Sequence, residues 1–341
     1  MIRLPPKWLR RILIDPAVTL AVLVAAVSLP LWAVGAAFVS RYVPGKWRIL
    51  RLAWFLFLYL AVEAVAMILM FALWIGSGFG WKIKSPAFQT AHYWLLGWML
   101  RLIIGSAKRT FKLTVDIESP PPVTATDVNR RPILVMSRHA GPGDSMLLVD
   151  ALANGYLRRP RIVLKDFLQW DPAVDVILNR LPTSFVHTGR NTGDPVVDAI
   201  AQLAGTMSTD DAFVIFPEGA NYTERRQERA IKKLVEIGRP DLAERARDLK
   251  MTLPPKSKGV MTALSTAPPN TDVFFVAHAG LEAFMTGGDI WRAMPMDTSV
   301  AVRTWHYPAE EIPPVDGQET WLYDVWEEID AWIGEKMERT G

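Results

Sequence analysis

The longest uncharged stretch of the chain sets the first limit on how it can fold. Residues 17–39 form 23 consecutive positions without a charged side chain, and a helix of about 20 apolar residues crosses the hydrocarbon core of a bilayer. A second apolar run covers residues 52–75, with Glu63 as its one charged interruption. A cleaved signal peptide is the alternative for the first run, but it would have a shorter apolar core. We therefore predict a membrane hairpin within residues 1–80.

The charges beside these runs leave the depth of the hairpin open. Lysine and arginine usually mark the cytoplasmic side of a membrane helix, but here basic residues lie before, between and after the two runs. A hairpin that crosses the bilayer and a hairpin that enters one leaflet both fit this pattern. Residues 81–110 combine apolar residues with Trp94, Trp98 and Arg101, which predicts an interfacial helix and linker. We expect the rest of the chain to lie at the cytoplasmic face of a membrane.

After residue 110 the pattern changes to short runs rich in Val, Ile and Phe that alternate with helical patterns. These runs cover residues 133–136, 162–164, 184–187, 213–216 and 274–277. Strands that alternate with helices are typical of an α/β domain, and we predict a mixed sheet flanked by helices. Single hydrophobic cores stop growing at about 250–300 residues, so residues 111–341 can form one such domain.

Charge and residue usage exclude several classes of function. The net charge of +3 is small, and no stripe of Arg and Lys interleaved with aromatic residues indicates a nucleic-acid partner. The chain has no cysteine, so a disulfide, a thiol nucleophile and a thiolate metal site are impossible. His187, His278 and His306 lack the spacing of metal ligands, which favours core or surface roles. We predict no metal and no nucleic acid.

The first motif with chemical meaning follows the run at 133–136. His139 and Asp144 would lie about 140° apart on one helix, so their side chains meet only if the chain turns between them, which Gly141, Pro142 and Gly143 permit. Asp144 would then orient the imidazole and leave its other nitrogen to take a proton from a substrate hydroxyl. The alternative is that Asp144 caps a helix and His139 is a surface loop residue.

Two further runs end in residues suited to a site. Glu218 and Gly219 follow the run at 213–216, and Arg190 follows the run at 184–187. The sites of α/β sheets lie beyond the ends of their strands. A guanidinium group presents a planar fork of donors that suits phosphate. The base, a carboxylate and a phosphate ligand would therefore come from successive strand ends.

The order of these motifs resembles the glycerolipid acyltransferases related to 1-acylglycerol-3-phosphate acyltransferase. The matching residues are His139-x4-Asp144, Phe185-Val186-x3-Arg190 and Phe216-Pro217-Glu218-Gly219. Blocks around Lys165 and Lys256 are similar to the eukaryotic-type lysophospholipid acyltransferases, including the relatives of lysocardiolipin acyltransferase. The resemblance implies a glycerol-3-phosphate-acyltransferase-like α/β fold.

The resemblance also implies the reaction and its residues. His139 would deprotonate the acceptor, Asp144 would hold the imidazole, and the acceptor would be bound by Lys165, Arg190, Glu218, Gly219 and Lys256. An acyl group would pass from acyl-CoA or acyl-carrier protein to the free hydroxyl of a lysophospholipid, foremost 1-acylglycerol-3-phosphate, giving phosphatidic acid in phospholipid biosynthesis. No cofactor is implied. A membrane thioesterase or esterase and a non-catalytic lipid-binding protein are the alternatives.

The chain departs from the family pattern at several positions. Ala220 and Asn221 follow Gly219 where the family usually has Thr and Arg, Arg138 replaces a frequent Asn, and Lys256 stands where Arg is usual. These changes bear on the choice of acceptor more than on the reaction.

Overall fold

Seven strands form one sheet in the part of the chain that the structure, a computed structural model, describes, namely residues 4–119, 130–139, 143–186, 193–282 and 287–340. Neighbouring strands are parallel except β6 and β7, which are antiparallel. Their order across the sheet is β1-β7-β6-β2-β5-β3-β4. The predicted α/β domain with a mixed sheet is therefore confirmed. The strands are β1 (Leu113–Ser119), β2 (Ile133–Ser137), β3 (Arg159–Lys165), β4 (Ser184–Val186), β5 (Asp211–Ile215), β6 (Asp272–Ala279) and β7 (Thr298–Tyr307).

Helices precede the sheet and connect its strands. Those before β1 are α1 (Lys7–Leu9), α2 (Asp15–Val27), α3 (Leu29–Ser40), α4 (Arg48–Gly76) and α5 (Pro86–Phe111). Those after β2 are α6 (Asp144–Asp150), α7 (Pro172–Leu178), α8 (Gly193–Gly205), α9 (Glu224–Glu236), α10 (Pro240–Asp248), α11 (Ser257–Thr266), α12 (Gly287–Ala293) and α13 (Val315–Thr340). Short 3₁₀ or π segments cover Arg10–Ile14, Ala151–Gly155, Asp166–Trp170 and Ala309–Glu311.

The central strand β2 divides the hydrophobic core into two layers. Leu134 and Met136 pack with α8, α11 and α13 on one face of the sheet. Ile133 and Val135 pack with α4, α5 and α7 on the other face. Successive side chains of a strand point to opposite faces, so an uninterrupted apolar run is what a strand buried on both sides requires.

The first apolar run forms two helices and not one. α2 and α3 meet at a break near Ser28, and the segments Lys7–Val27 and Leu29–Ser40 are bent by 72°. Pro30 explains the break, because its ring clashes with the carbonyl four residues earlier and it has no N–H to donate. This bent pair is long and apolar enough for a membrane only as a broken span or a re-entrant loop. Among the described residues, α4 is the single unbroken helix that meets those criteria.

The helix α5 lies between the sheet and the solvent. Leu95, Met99 and Ile103 are buried in the core layer shared with β2, whereas Trp94 on the other side of the helix is 66 % exposed. The helix thus combines a packed face with an exposed aromatic ring. Its placement at a membrane interface stays a prediction.

Candidate active site

The candidate site lies where three neighbouring parallel strands end. β2 pairs in parallel with both β5 and β6, so the carboxyl ends of these strands meet at one edge of the sheet. His139 follows β2, Glu218 follows β5, and His278 is next to the last residue of β6. Asp144 is the first residue of α6. The strand-end position expected from the sequence is the position observed.

His139 and Asp144 are in direct contact. Nδ1 of His139 lies 2.9 Å from Oδ2 and 3.1 Å from Oδ1 of Asp144. Gly143, immediately before the helix, has φ of +97°, a left-handed conformation that glycine adopts without a steric penalty. A neutral imidazole that donates its Nδ1 proton to Asp144 has a lone pair on Nε2 for accepting a proton.

The carboxylate of Asp144 is held in its ionised form. Burial acts to raise the pKa of Asp144, but the hydrogen bond from His139 and the nearby imidazoles of His139 and His278 outweigh burial and hold that pKa below its usual range. The side chain is 1 % exposed, whereas that of His139 is 29 % exposed. The Ser145 hydroxyl donates to Oδ1 at 3.0 Å and its backbone N–H donates to the same oxygen. The negative charge is therefore buried and oriented, while the imidazole can be reached by a substrate.

Both carboxylate oxygens of Glu218 accept hydrogen bonds from backbone N–H groups. Oε1 accepts from His139 at 3.0 Å and Oε2 accepts from Leu253 at 2.9 Å. Burial raises the pKa of Glu218 to about 7, although the two N–H groups and the charges of Arg138 and His139 act in the opposite direction. The observed contacts fix the backbone that carries His139. Binding of the acceptor by Glu218 stays a prediction.

Gly219 and Lys256 are in close contact. Gly219 has φ of +66°, and a Cβ atom there would overlap the Lys256 ammonium group. The backbone N–H of Lys256 donates to the Pro217 carbonyl at 3.0 Å. Desolvation, together with the charges of Lys233 and Lys165, lowers the pKa of Lys256. Lys165 is the exposed last residue of β3. The structure thus brings Gly219, Lys256 and Lys165 to the edge of the sheet that holds His139, whereas Arg190 lies outside the described residues.

Residues 118–278 match the family model described as Acyltransferase. The match covers a little less than half of the chain and includes His139, Asp144, Glu218, Gly219 and Lys256. It supports the glycerolipid acyltransferase family and acyl transfer in general. No curated protein and no solved structure matched the chain.

Arg138 lies in the matched segment, and its part in the candidate site was not predicted from the sequence. It is 2 % exposed, and its guanidinium donates to the His278 carbonyl at 2.7 Å, to the Met251 carbonyl at 3.0 Å and to the Glu282 carboxylate. It thereby connects the end of β2 to the end of β6 and to the segment before α11. The signal in the sequence was its position next to His139, in place of the family's usual Asn.

His278 is the second residue that sequence reasoning missed, because it was assigned a core or surface role. Its side chain is 9 % exposed, and its Nε2 lies 3.7 Å from Oδ2 of Asp144. An imidazole in an otherwise apolar strand end was the available signal. The candidate site therefore contains a second imidazole beside the same carboxylate.

Proposed function

We propose that this protein transfers an acyl group from acyl-CoA or acyl-carrier protein to the free hydroxyl of a lysophospholipid, with 1-acylglycerol-3-phosphate as the foremost acceptor. The observation that carries the proposal is the contact of 2.9 Å between His139 and Asp144 at a strand end within the segment that matches the acyltransferases. A base with an oriented, ionised partner is what deprotonation of an alcohol requires.

The chemistry follows from that geometry. Nε2 of His139 takes the proton of the acceptor hydroxyl while the oxygen attacks the thioester carbonyl. The tetrahedral intermediate then collapses, the C–S bond breaks, and the thiolate receives the proton from the imidazolium. Asp144 stabilises the imidazolium between these two proton transfers. The products are an ester and a free thiol, and the enzyme returns to its starting state without a covalent intermediate.

The lysines beside the site support an acceptor that carries a phosphate. Lys256 places its ammonium over Gly219, and Lys165 ends the strand next to β5. Lysine binds phosphate as a point charge. We propose that Lys165 and Lys256 bind the acceptor phosphate together with Arg190, and that Glu218 and Gly219 shape the same pocket.

The attachment of α4 supports a membrane protein that enters one leaflet. Near the start of the helix Arg51 donates to the Thr110 carbonyl at 2.9 Å, and near its end Arg180 donates to the Met70 carbonyl at 2.7 Å. Residues 51 and 70 lie about 29 Å apart along a helix, nearly the thickness of the hydrocarbon core. A helix attached to the same globular domain at both positions fits the plane of the membrane better than a crossing.

The helices before α4 are attached in the same way. Arg10 forms a buried pair with Asp175 at 2.9 Å, and Arg48 donates to the Met294 carbonyl at 3.3 Å. The bent pair between them thus leaves the domain and returns to it. We propose that α2, α3 and α4 enter the cytoplasmic leaflet, where lysolipid and acyl chain are both concentrated.

The test is acyl transfer by the purified full chain in phospholipid vesicles. Labelled acyl-CoA and acyl-carrier protein are offered with a panel of lysophospholipids, and His139→Ala is compared with His306→Ala, which removes an imidazole outside the site. Diacyl product that is lost in a folded His139→Ala protein and retained in His306→Ala supports the proposal. Free fatty acid alone would indicate a hydrolase, and the absence of turnover with either donor would indicate a lipid-binding protein.

A further inference from the structure

His278 is a buried imidazole that the reaction proposed above does not use. It lies near the end of β6, opposite Val302 of β7 and next to Ala279, so its neighbours along and across the strand are apolar. Neither of its ring nitrogens makes a hydrogen bond to a residue that the structure describes. Buried polar groups in proteins are nearly always paired. A side chain needed only for packing at this position would be apolar.

The carboxylate of Asp144 is the one acidic group placed to be its partner among the described residues. Nε2 of His278 lies 3.7 Å from Oδ2 of Asp144, and Nδ1 of His139 lies 2.9 Å from the same oxygen. A movement of about 1 Å brings Nε2 of His278 within hydrogen-bond distance. A carboxylate oxygen has lone pairs for both donors.

We infer that His278 is a positioning residue of the acyltransferase site, whose Nε2–H holds the Asp144 carboxylate in the orientation that His139 requires. The inference rests on the proposed function for its activity readout. Without His278, the carboxylate would keep donors that include His139 and Ser145 but lose the donor that faces it from β6 and helps to fix its rotation. Asp144 would also direct its full charge towards His139, which makes the imidazolium easier to form.

Several charged or titratable groups surround the pair formed by His278 and Asp144. Arg138 donates to the carbonyl of His278 and to the carboxylate of Glu282. The imidazole of His139 contacts the carboxylate of Asp144. Glu218 accepts a hydrogen bond from the backbone N–H of His139. All of these groups are kept in every variant of the test, so that a change in proton binding by His139 reports the loss of His278.

The test compares His278→Phe, which removes the donor, with His278→Gln, whose amide N–H is placed like Nε2–H. We expect kcat of His278→Phe to fall about tenfold, the loss typical of one hydrogen bond to a charged group, with KM for both substrates unchanged. His278→Gln should recover most of kcat. His306→Phe is the matched control, because His306 contacts a carboxylate, Asp272, at 3.3 Å on the adjacent strand.

A second readout does not depend on turnover. The pH midpoint of the His139 ring resonance is measured by NMR, with the five histidines assigned through single substitutions. It should move to higher pH in His278→Phe and stay near the wild-type value in His278→Gln and His306→Phe. If His278→Phe does not fold, His278→Asn replaces it, since the shorter amide does not reach Asp144.

An unchanged midpoint with unchanged kcat in His278→Phe would overturn the inference, as would a Gln variant no better than Phe. A shifted midpoint in a protein that transfers no acyl group would refute the proposed function while supporting the contact between His278 and Asp144.

Discussion

Asp144 is buried between an imidazole and the start of a helix, and its charge is what the proposed proton transfer needs. In Asp144→Asn the amide can donate to Nδ1 of His139 and so favour the wrong tautomer. We expect kcat to fall by about 10²- to 10⁴-fold, measured as the initial rate of diacyl product. Asp150→Asn at the other end of α6 is the control, because Asp150 contacts Asn154 and not the site. Equal losses in both variants would contradict this role of Asp144.

Glu218 gives a prediction about pH. Burial raises its pKa from 4.5 to about 7, so the folded state binds a proton that the unfolded chain has released. The contribution of this group to stability is fully present below about pH 4.5 and is lost as the pH rises through about 7. Relative to Glu218→Gln, the wild-type free energy of unfolding should fall by up to about 3 kcal/mol between about pH 5 and 8.

Thermal unfolding in detergent across that range measures this difference. Glu244→Gln, which changes an exposed carboxyl on α10, is the comparison for general effects of charge. A difference between the wild type and Glu218→Gln that does not vary with pH would show that Glu218 is ionised throughout.

Gly219 tests the contact with Lys256. Gly219→Ala strains a left-handed backbone, at a cost of about 1–2 kcal/mol, and also displaces the Lys256 ammonium. Gly238 has φ of +77° and no atom near the position of a Cβ, so Gly238→Ala strains the backbone alone. We expect similar losses of thermal stability in both, and a rise in KM for the lysophospholipid of about tenfold only in Gly219→Ala. A similar rise in both variants would argue against Lys256 as a phosphate ligand.

The sequence predicted the His139–Asp144 contact because the two residues are close in the chain and separated by turn-forming residues. It did not predict the contacts of Glu218, whose donors lie 79 and 35 residues away. Nor did it predict the link from Arg138 to His278, which spans 140 residues. These contacts exist only because β2 pairs with both β5 and β6, and strand order cannot be deduced from local patterns.

At the scale of elements, the strands that carry apolar runs were predicted from the sequence, and β1 and β7 were not. β2 and β5 are buried along their whole length and produced apolar runs. β1 pairs only with β7 at the edge of the sheet, and its Thr114, Asp116 and Glu118 are exposed, so no apolar run marks it. Pro30 could have predicted the break between α2 and α3. The break was not predicted, because residues 17–39 form one continuous uncharged run that includes Pro30.

The attachment of the N-terminal helices depends on one buried ion pair. Arg10 contacts both oxygens of Asp175, at 2.9 and 3.2 Å, and Asp175 is fully buried. Removing one partner of a buried pair leaves an uncompensated charge, which typically costs about 3–5 kcal/mol. We expect Arg10→Met to lower the free energy of unfolding by that amount and to expose α1 and α2 to proteolysis.

Arg11→Met is the matched control for Arg10→Met. Its Nε lies 3.7 Å from Asp175 and its side chain is 31 % exposed, so we expect a much smaller effect. Unfolding by denaturant in detergent, together with limited proteolysis, measures both variants. Equal sensitivity to the two substitutions would mean that general positive charge, and not the buried pair, attaches these helices.

At the scale of the whole molecule, the depth of the proposed membrane segment could not be predicted from the sequence, because both apolar runs have basic residues on every flank. What favours one leaflet is that α4 contacts the globular domain near both of its ends.

The chain has no cysteine, so single cysteines can carry a fluorescent label without further changes. Trp54 and Phe71 are exposed on α4 and lie about 25 Å apart along its axis. A helix in the plane of one leaflet places both at the same depth, whereas a crossing helix places them near opposite surfaces.

We expect labels at Trp54→Cys and Phe71→Cys to be quenched equally by lipids that carry a quencher at one shallow depth, in vesicles of phosphatidylcholine and phosphatidylglycerol. A label at Ile237→Cys, an exposed residue after α9, should respond only to a quencher in the water. Because a crossing helix would bring one end of α4 to the far side, access of an impermeant quencher from inside the vesicle to one label alone would refute the arrangement in one leaflet. Equal shallow quenching would instead support the proposed position of α4 in one leaflet.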